Sequence, residues 1–171
     1  MNTLVCIKRV PFPGAKFLLT EDEQEINTRN LSFTIGPHEE CALEEAVQLT
    51  EQYGGESTVL TLGPAESHEQ LRDALAMGVH NAILLQTDGQ EWNAIATALA
   101  IADTVCGLRD QGHNFDVLLF GNDAADTGGS QVGIRVAHAL DMPCVTGIKA
   151  LEIADGIGEA RREASGGWEV F

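Results

Sequence analysis

The residues with the clearest chemical potential lie together in Gly121-Asn122-Asp123-Ala124-Ala125-Asp126-Thr127-Gly128-Gly129-Ser130-Gln131-Val132, directly after the apolar run Val117-Leu118-Leu119-Phe120. Apolar residues then resume at helical spacing, at Val132, Val136 and Leu140. A strand, a wide glycine loop and a helix amino terminus form a place where uncovered backbone N–H groups can hold an anion, at the carboxyl edge of an open α/β sheet. Gly128 and Gly129 are expected to take positive φ and admit a ligand close to the backbone, and Ser130 to cap the following helix. Asp123 and Asp126 could hold a metal or a ribose hydroxyl, and ordinary turn chemistry explains them equally well.

Other chemistry finds little support. No nucleophile beside a base and no recognisable carboxylate pair stands out, so no catalytic residue is assigned. GxxxxGK(S/T) is absent, no lysine follows the glycines, and no GxGxxG follows the first apolar run, which argues against triphosphate hydrolysis and ordinary dinucleotide dehydrogenation. His38, His68, His80, His113 and His138 are scattered without ligand spacing, and no metal site is expected. Cys6, Cys41, Cys106 and Cys144 lie far apart and read as small buried hydrophobes. Nucleotide binding without turnover is what remains.

The elements that would position the loop follow from periodicity. Residues 3–7 are a buried strand ended by Lys8-Arg9-Val10-Pro11-Phe12-Pro13-Gly14, read as a loop because its prolines remove donors. Lys8 and Arg9 fall at the edge where the glycine loop opens, and a solvated strand end or a salt bridge is their plainer reading. Residues 17–33 fit a small hairpin or an extended excursion. Gly36-Pro37 opens a helix with Glu39 and Glu40 in its first turn and an apolar stripe through Ala42, Leu43, Ala46, Val47, Leu49 and Tyr53, which Gly54-Gly55 ends.

Residues 57–62 form a second strand, turned by Gly63-Pro64-Ala65 into a helix carrying Leu71, Ala74 and Leu75; Ser67 and Gln70 have capping-box spacing there, while Pro64 could mark an earlier start. Residues 82–85 are a third strand. Trp92, Ile95, Ala96, Leu99, Ala102 and Val105 mark a long helix, residues 116–120 a fourth strand, and residues 142–146 a short fifth one. This alternation implies βαβ units and a parallel sheet covered on both faces, a three-layer Rossmann-like α/β fold. After Gly147, residues 148–153, 158–164 and 168–171 read as a short antiparallel extension.

Residues 1–171 are long enough for one domain with a real core, at 44% hydrophobic composition. A formal net charge of -16, from 26 acidic and 10 basic side chains, argues against nucleic acid and anionic membranes as partners. No stretch reaches a membrane span and the first residues lack a basic leader, so a soluble cytoplasmic protein is expected. The end on Val170-Phe171 is strand-like without a polar tail, and a domain truncated at its C-terminal end is expected.

Four stretches carry a resemblance to a known family: Val5-Cys6-Ile7-Lys8-Arg9-Val10-Pro11; Gly36-Pro37-His38-Glu39-Glu40-Cys41-Ala42-Leu43-Glu44-Glu45-Ala46-Val47; Gly63-Pro64-Ala65 with Leu71-Arg72-Asp73-Ala74-Leu75-Ala76-Met77-Gly78; and the loop from Gly121 to Gly133. In this order and combination the chain resembles the beta subunit of an electron transfer flavoprotein. The resemblance implies a fold related to adenine-nucleotide hydrolases without their activity. It also implies an AMP, or a second FAD, in the pocket, and a pairing with an FAD-binding alpha subunit. The pair would carry electrons from flavin dehydrogenases, with no catalysis by this chain alone.

Carried over by position, Cys6 would meet the adenine through its backbone, Gly36, Pro37, His38, Glu39 and Leu62 would line the nucleoside, and Gly121 to Val132 would wrap phosphate and ribose. Gly36 stands where the family usually has Asn, Ser130 where it has Asn or Ala, and the acidic run after Ala125 is short, so AMP and FAD both stay open. The family continues past Phe171, so a fragment is expected that alone neither binds redox-active flavin well nor shuttles electrons. The rival readings are a stress-type ATP-binding module that forms a homodimer, and an adenine-nucleotide hydrolase whose turnover would depend on Asp126.

Overall fold

The structure, a computed structural model, describes residues 1–154 and 156–171. Its centre is β1 (Thr3–Ile7), buried at every position. Parallel neighbours flank it, β4 (Ser57–Gly63) on one side and β6 (Val117–Phe120) on the other, and β5 (Asn81–Gln86) extends the sheet beyond β4. Successive side chains of a strand point to opposite faces, so β1 serves two cores at once. Val5 and Ile7 pack with Leu43, Ala46 and Leu49 of α1 (Pro37–Tyr53) and Leu71 and Ala74 of α2 (His68–Ala76). Leu4 and Cys6 pack with Ala98, Ile101 and Val105 of α3 (Ala94–Asp110) and Val136 of α4 (Val132–Ala139). Two helices therefore cover each face, and the fold is the expected three-layer α/β arrangement.

Helix boundaries follow local chemistry. Gly36 is the N-cap of α1 and Pro37 its first residue, where a missing N–H costs nothing. At the other end Gly54 has φ 70° and donates its N–H to the carbonyl of Thr50 at 2.9 Å. The helix expected from Trp92 begins two residues later at Ala94, because the Asn93 side chain accepts from the N–H groups of Ile95 and Ala96 at 3.0 and 2.9 Å. The Ser67–Gln70 capping box does not form. A 3-10 turn over Ala65–Ser67 precedes α2, both side chains are buried, and Gln70 Nε2 instead donates to the carbonyl of Phe33 at 3.4 Å.

Three further expectations are corrected. The segment after β1 is not all loop: β2 (Arg9–Pro11) pairs antiparallel with β3 (Phe33–Ile35), which Pro11 allows because it ends a two-stranded ribbon. Within the excursion between them the hairpin amounts to one bridge, Leu19 with Ile26. Residues 142–146 form no strand, and the parallel sheet stops at β6. Of the cysteines only Cys6 is fully buried, while Cys41 and Cys144 are exposed.

The chain continues into a separate antiparallel sheet of β7 (Ile148–Ala154), β8 (Ile157–Ala164) and β9 (Gly167–Val170). Leu151 and Ile153 rest against the α1 side of the core, and the Tyr53 hydroxyl donates to the carbonyl of Ile153. No helix among the described residues is long and apolar enough to cross a membrane.

Candidate functional site

In chain order the parallel strands stand 3-2-1-4, so connections leave β1 in opposite directions and a crevice opens where β1 and β6 lie side by side. A cleft of about 1330 Å³ occupies this edge. It exceeds the ~300–1,000 Å³ of an ordinary small-ligand site, enough for a nucleotide with room beyond it. Cys6, His38, Glu39 and Leu62 line it, as do Gly121, Asn122, Asp123, Ala124, Asp126, Thr127, Gly129, Ser130, Gln131 and Val132. Gly36, Pro37, Ala125 and Gly128 do not reach its surface.

Gly36 sits behind Glu39. The Glu39 carboxylate lies over both Gly36 and Gly121, and a Cβ on Gly121 would stand 2.8 Å from the Cγ and Cδ of Glu39. These two glycines make room for the protein's own carboxylate. Glu39 is 4% exposed, and its Oε2 has no partner among the described residues. Burial pushes its pKa up and Asp126 and Asp123 add to that, while its backbone N–H and His38 pull the other way.

The glycine loop differs from expectation in detail. Gly128 takes φ +58° and donates its N–H to the carbonyl of Ala124 at 2.8 Å, but Gly129 has no positive φ. Ser130 does, at 49°, which is incompatible with the extended backbone of an N-cap. Gln131 is the N-cap residue, and its side chain accepts from Arg135 at 2.9 and 3.2 Å without capping the helix. Among the described residues the N–H groups of 122–127 and 129–132 donate to no protein acceptor.

Charged side chains fasten this loop. Lys8, just past β1, places its ammonium 2.9 Å from Asp126 Oδ2 and 2.7 Å from Glu91 Oε1. Burial opposes its charge, but the hydrogen bonds it donates to Glu91 and Asp126, with their negative charge, outweigh that and hold its pKa above the usual lysine value. The salt-bridge reading of Lys8 is thus correct, with a partner inside the loop itself. His38 Nε2 lies 3.2 Å from Asp123 Oδ1. Arg9 turns away and stacks on Phe33, 3.4 Å from the ring centre. No group of three metal-ligating side chains occurs among the described residues. Glu91 had no local signal beyond its place in Gly89-Gln90-Glu91, soon after a strand that ends at this same edge.

Topology and cleft define the class: an α/β protein of Rossmann type with a ligand-sized opening at its switch point. The description "Electron transfer flavoprotein domain" matches residues 25–170, and the chain belongs to that family. It is 36% identical to the electron transfer flavoprotein subunit beta of Bacillus subtilis over 97% of this chain and 63% of that protein. The subunit beta of Syntrophomonas wolfei is 37% identical over 99% of this chain and 65% of its own length. Protein FixA of Rhizobium meliloti is 33% identical over 100% and 60%. The chain thus spans 60 to 65% of the length of these relatives.

Proposed function

We propose that this chain serves as the beta-type component of an electron transfer flavoprotein, holding AMP or FAD in its cleft and pairing with an FAD-binding alpha subunit. In this reading the pair carries electrons from flavin dehydrogenases, and the chain binds and positions without catalysing a reaction of its own. The observation that carries the reading is its likeness, over nearly its whole length, to proteins named electron transfer flavoprotein subunit beta. Bound FAD would supply the redox chemistry; AMP would supply none.

The chain's own residues suit such a ligand. Amides of the loop without a protein acceptor, next to the start of α4, offer hydrogen bonds to phosphate oxygens. Cys6 and Leu62, at the ends of β1 and β4, offer apolar surface for a base, and His38 and Glu39 offer polar atoms beside it. Membership of this family gives no support to the rival stress-type ATP module.

Denaturing the purified protein and chromatographing what it releases tests the reading. AMP or FAD is the expected product, and a pocket that stays empty at micromolar nucleotide would overturn it. Co-expression with an alpha subunit, followed by a flavin absorbance spectrum of the purified complex, tests the pairing.

A further inference from the structure

The ammonium of Lys8 joins the two rims of the cleft. On one side it meets Asp126 at 2.9 Å and Thr127 Oγ1 at 3.5 Å, both in the glycine loop. On the other it meets Glu91 at 2.7 Å, in the segment between β5 and α3. The two acidic partners are unlike. The Asp126 side chain is 23% exposed, that of Glu91 64%, and Lys8 is the one hydrogen-bond partner of the Glu91 side chain among the described residues. Asp126 is built in, and Glu91 is held by a single rim contact.

The cleft is lined by more carboxylates than cations: Glu39, Glu91, Asp123 and Asp126 surround its loop end. Of the lining cations, Arg9 is turned onto Phe33, and Lys149 stands on β7. Lys8 is the lining cation in contact with the loop whose amides lack acceptors, whereas Arg135, which meets Gln131, does not line the cleft. A phosphoryl group offers Lys8 the same kind of anionic oxygen as Glu91 does, with greater charge and further oxygens for the loop amides, which the Glu91 side chain does not contact.

We propose that Lys8 is the phosphate-holding cation of this cleft and that Glu91 occupies the phosphate's place, to be displaced when a nucleotide enters. This rests on the nucleotide reading above. Glu91 then acts as a removable internal competitor, and Asp126 keeps the lysine aimed at the loop throughout.

Titration calorimetry of the protein with AMP and with adenosine, at low salt, tests it in wild type, Glu91→Gln, Lys8→Met and the double variant. Glu91→Gln should tighten AMP about two- to fivefold, the size expected for freeing one exposed ion pair, and leave adenosine unchanged. Lys8→Met should weaken AMP, and in its background Glu91→Gln should bring no gain. If Lys8→Met melts early, the contrast between AMP and adenosine in Glu91→Gln still decides. Unchanged AMP affinity in that variant, or an equal gain for adenosine, overturns the inference and spares the nucleotide reading. Binding of neither compound to any form overturns both.

Discussion

The central and the C-terminal sheets solve the problem of burying a strand in opposite ways. β1 loses both faces to packed helices, and its residues between Thr3 and Ile7 are all buried. In the C-terminal sheet β9 is exposed at every position, and Ile157, Trp168, Val170 and Phe171 remain 50 to 73% exposed. Backbone ladders join its strands, and the side-chain contacts across them are largely ionic: Arg161 meets Glu152 and Glu159, and Arg162 meets Glu169 at 2.7 Å while lying over the Phe171 ring. Exposed ion pairs are weak, about 0–1 kcal/mol, whereas an apolar side chain fully removed from water is worth ~1.5–3 kcal/mol. The cleft lies at the carboxyl edge of the strongly packed sheet. A buried strand end beneath a loop with uncovered amides combines a well-packed base with free hydrogen-bond donors.

The widest separation between the two sheets should appear in core truncation. Leu43→Ala, at a fully buried position of α1, should cost about 2–5 kcal/mol in urea unfolding. Trp168→Ala, 59% exposed, should stay within ~0.5 kcal/mol, and equal losses would erase the distinction. At the cleft the expected effects are intermediate. Gly121→Ala collides with Glu39 and should cost about 1–3 kcal/mol. Adding Glu39→Ala should recover part of that loss, and strict additivity would show that the two residues do not meet.

Gly128→Val strains a φ of +58° and should cost ~1–3 kcal/mol, while Gly129→Val, with an unstrained φ and open space around it, should be nearly neutral for folding. Both should lose nucleotide in the release assay. Retention by both would move the phosphate contacts elsewhere.

The pH dependence sharpens the picture further. The folded pKa of Glu39 is raised, mainly by burial, so between the ordinary carboxylate range and that raised value the folded state binds more protons than the unfolded one. Stability from this group is greatest on the acid side and is lost as pH rises through the window. Glu39→Gln has no such proton to lose, so the melting-temperature difference between variant and wild type should grow in the variant's favour from acid to neutral pH. A constant difference would mean that Glu39 titrates normally. A small effect is also expected for Arg162→Ala, within the ~0–1 kcal/mol of an exposed ion pair, read from thermal melts.

Much of the fold was open to reading along the chain, and the errors have physical causes. The four parallel strands and their helices were visible because each carries an apolar pattern of its own period. Residues 142–146 look like a strand but do not pair, although β6 ends the sheet, and Arg9–Pro11 looks like a loop but finds β3, since pairing is decided by tertiary placement that no local window contains. The Ser130 cap failed for a similar reason, because the turn at Gly128 puts Ser130 itself into the left-handed region.

Local pattern thus sufficed for the α/β class and the place of the glycine loop at a strand's end, and four stretches taken together carried the resemblance to electron transfer flavoproteins. Folding alone brought Lys8 to Asp126 and Glu91, over separations of 118 and 83 residues, and laid the Glu39 carboxylate across Gly36 and Gly121. Periodicity reports which side of an element faces inward. It says nothing of which distant charges come within a few ångströms of each other, because that depends on the order of strands in the sheet.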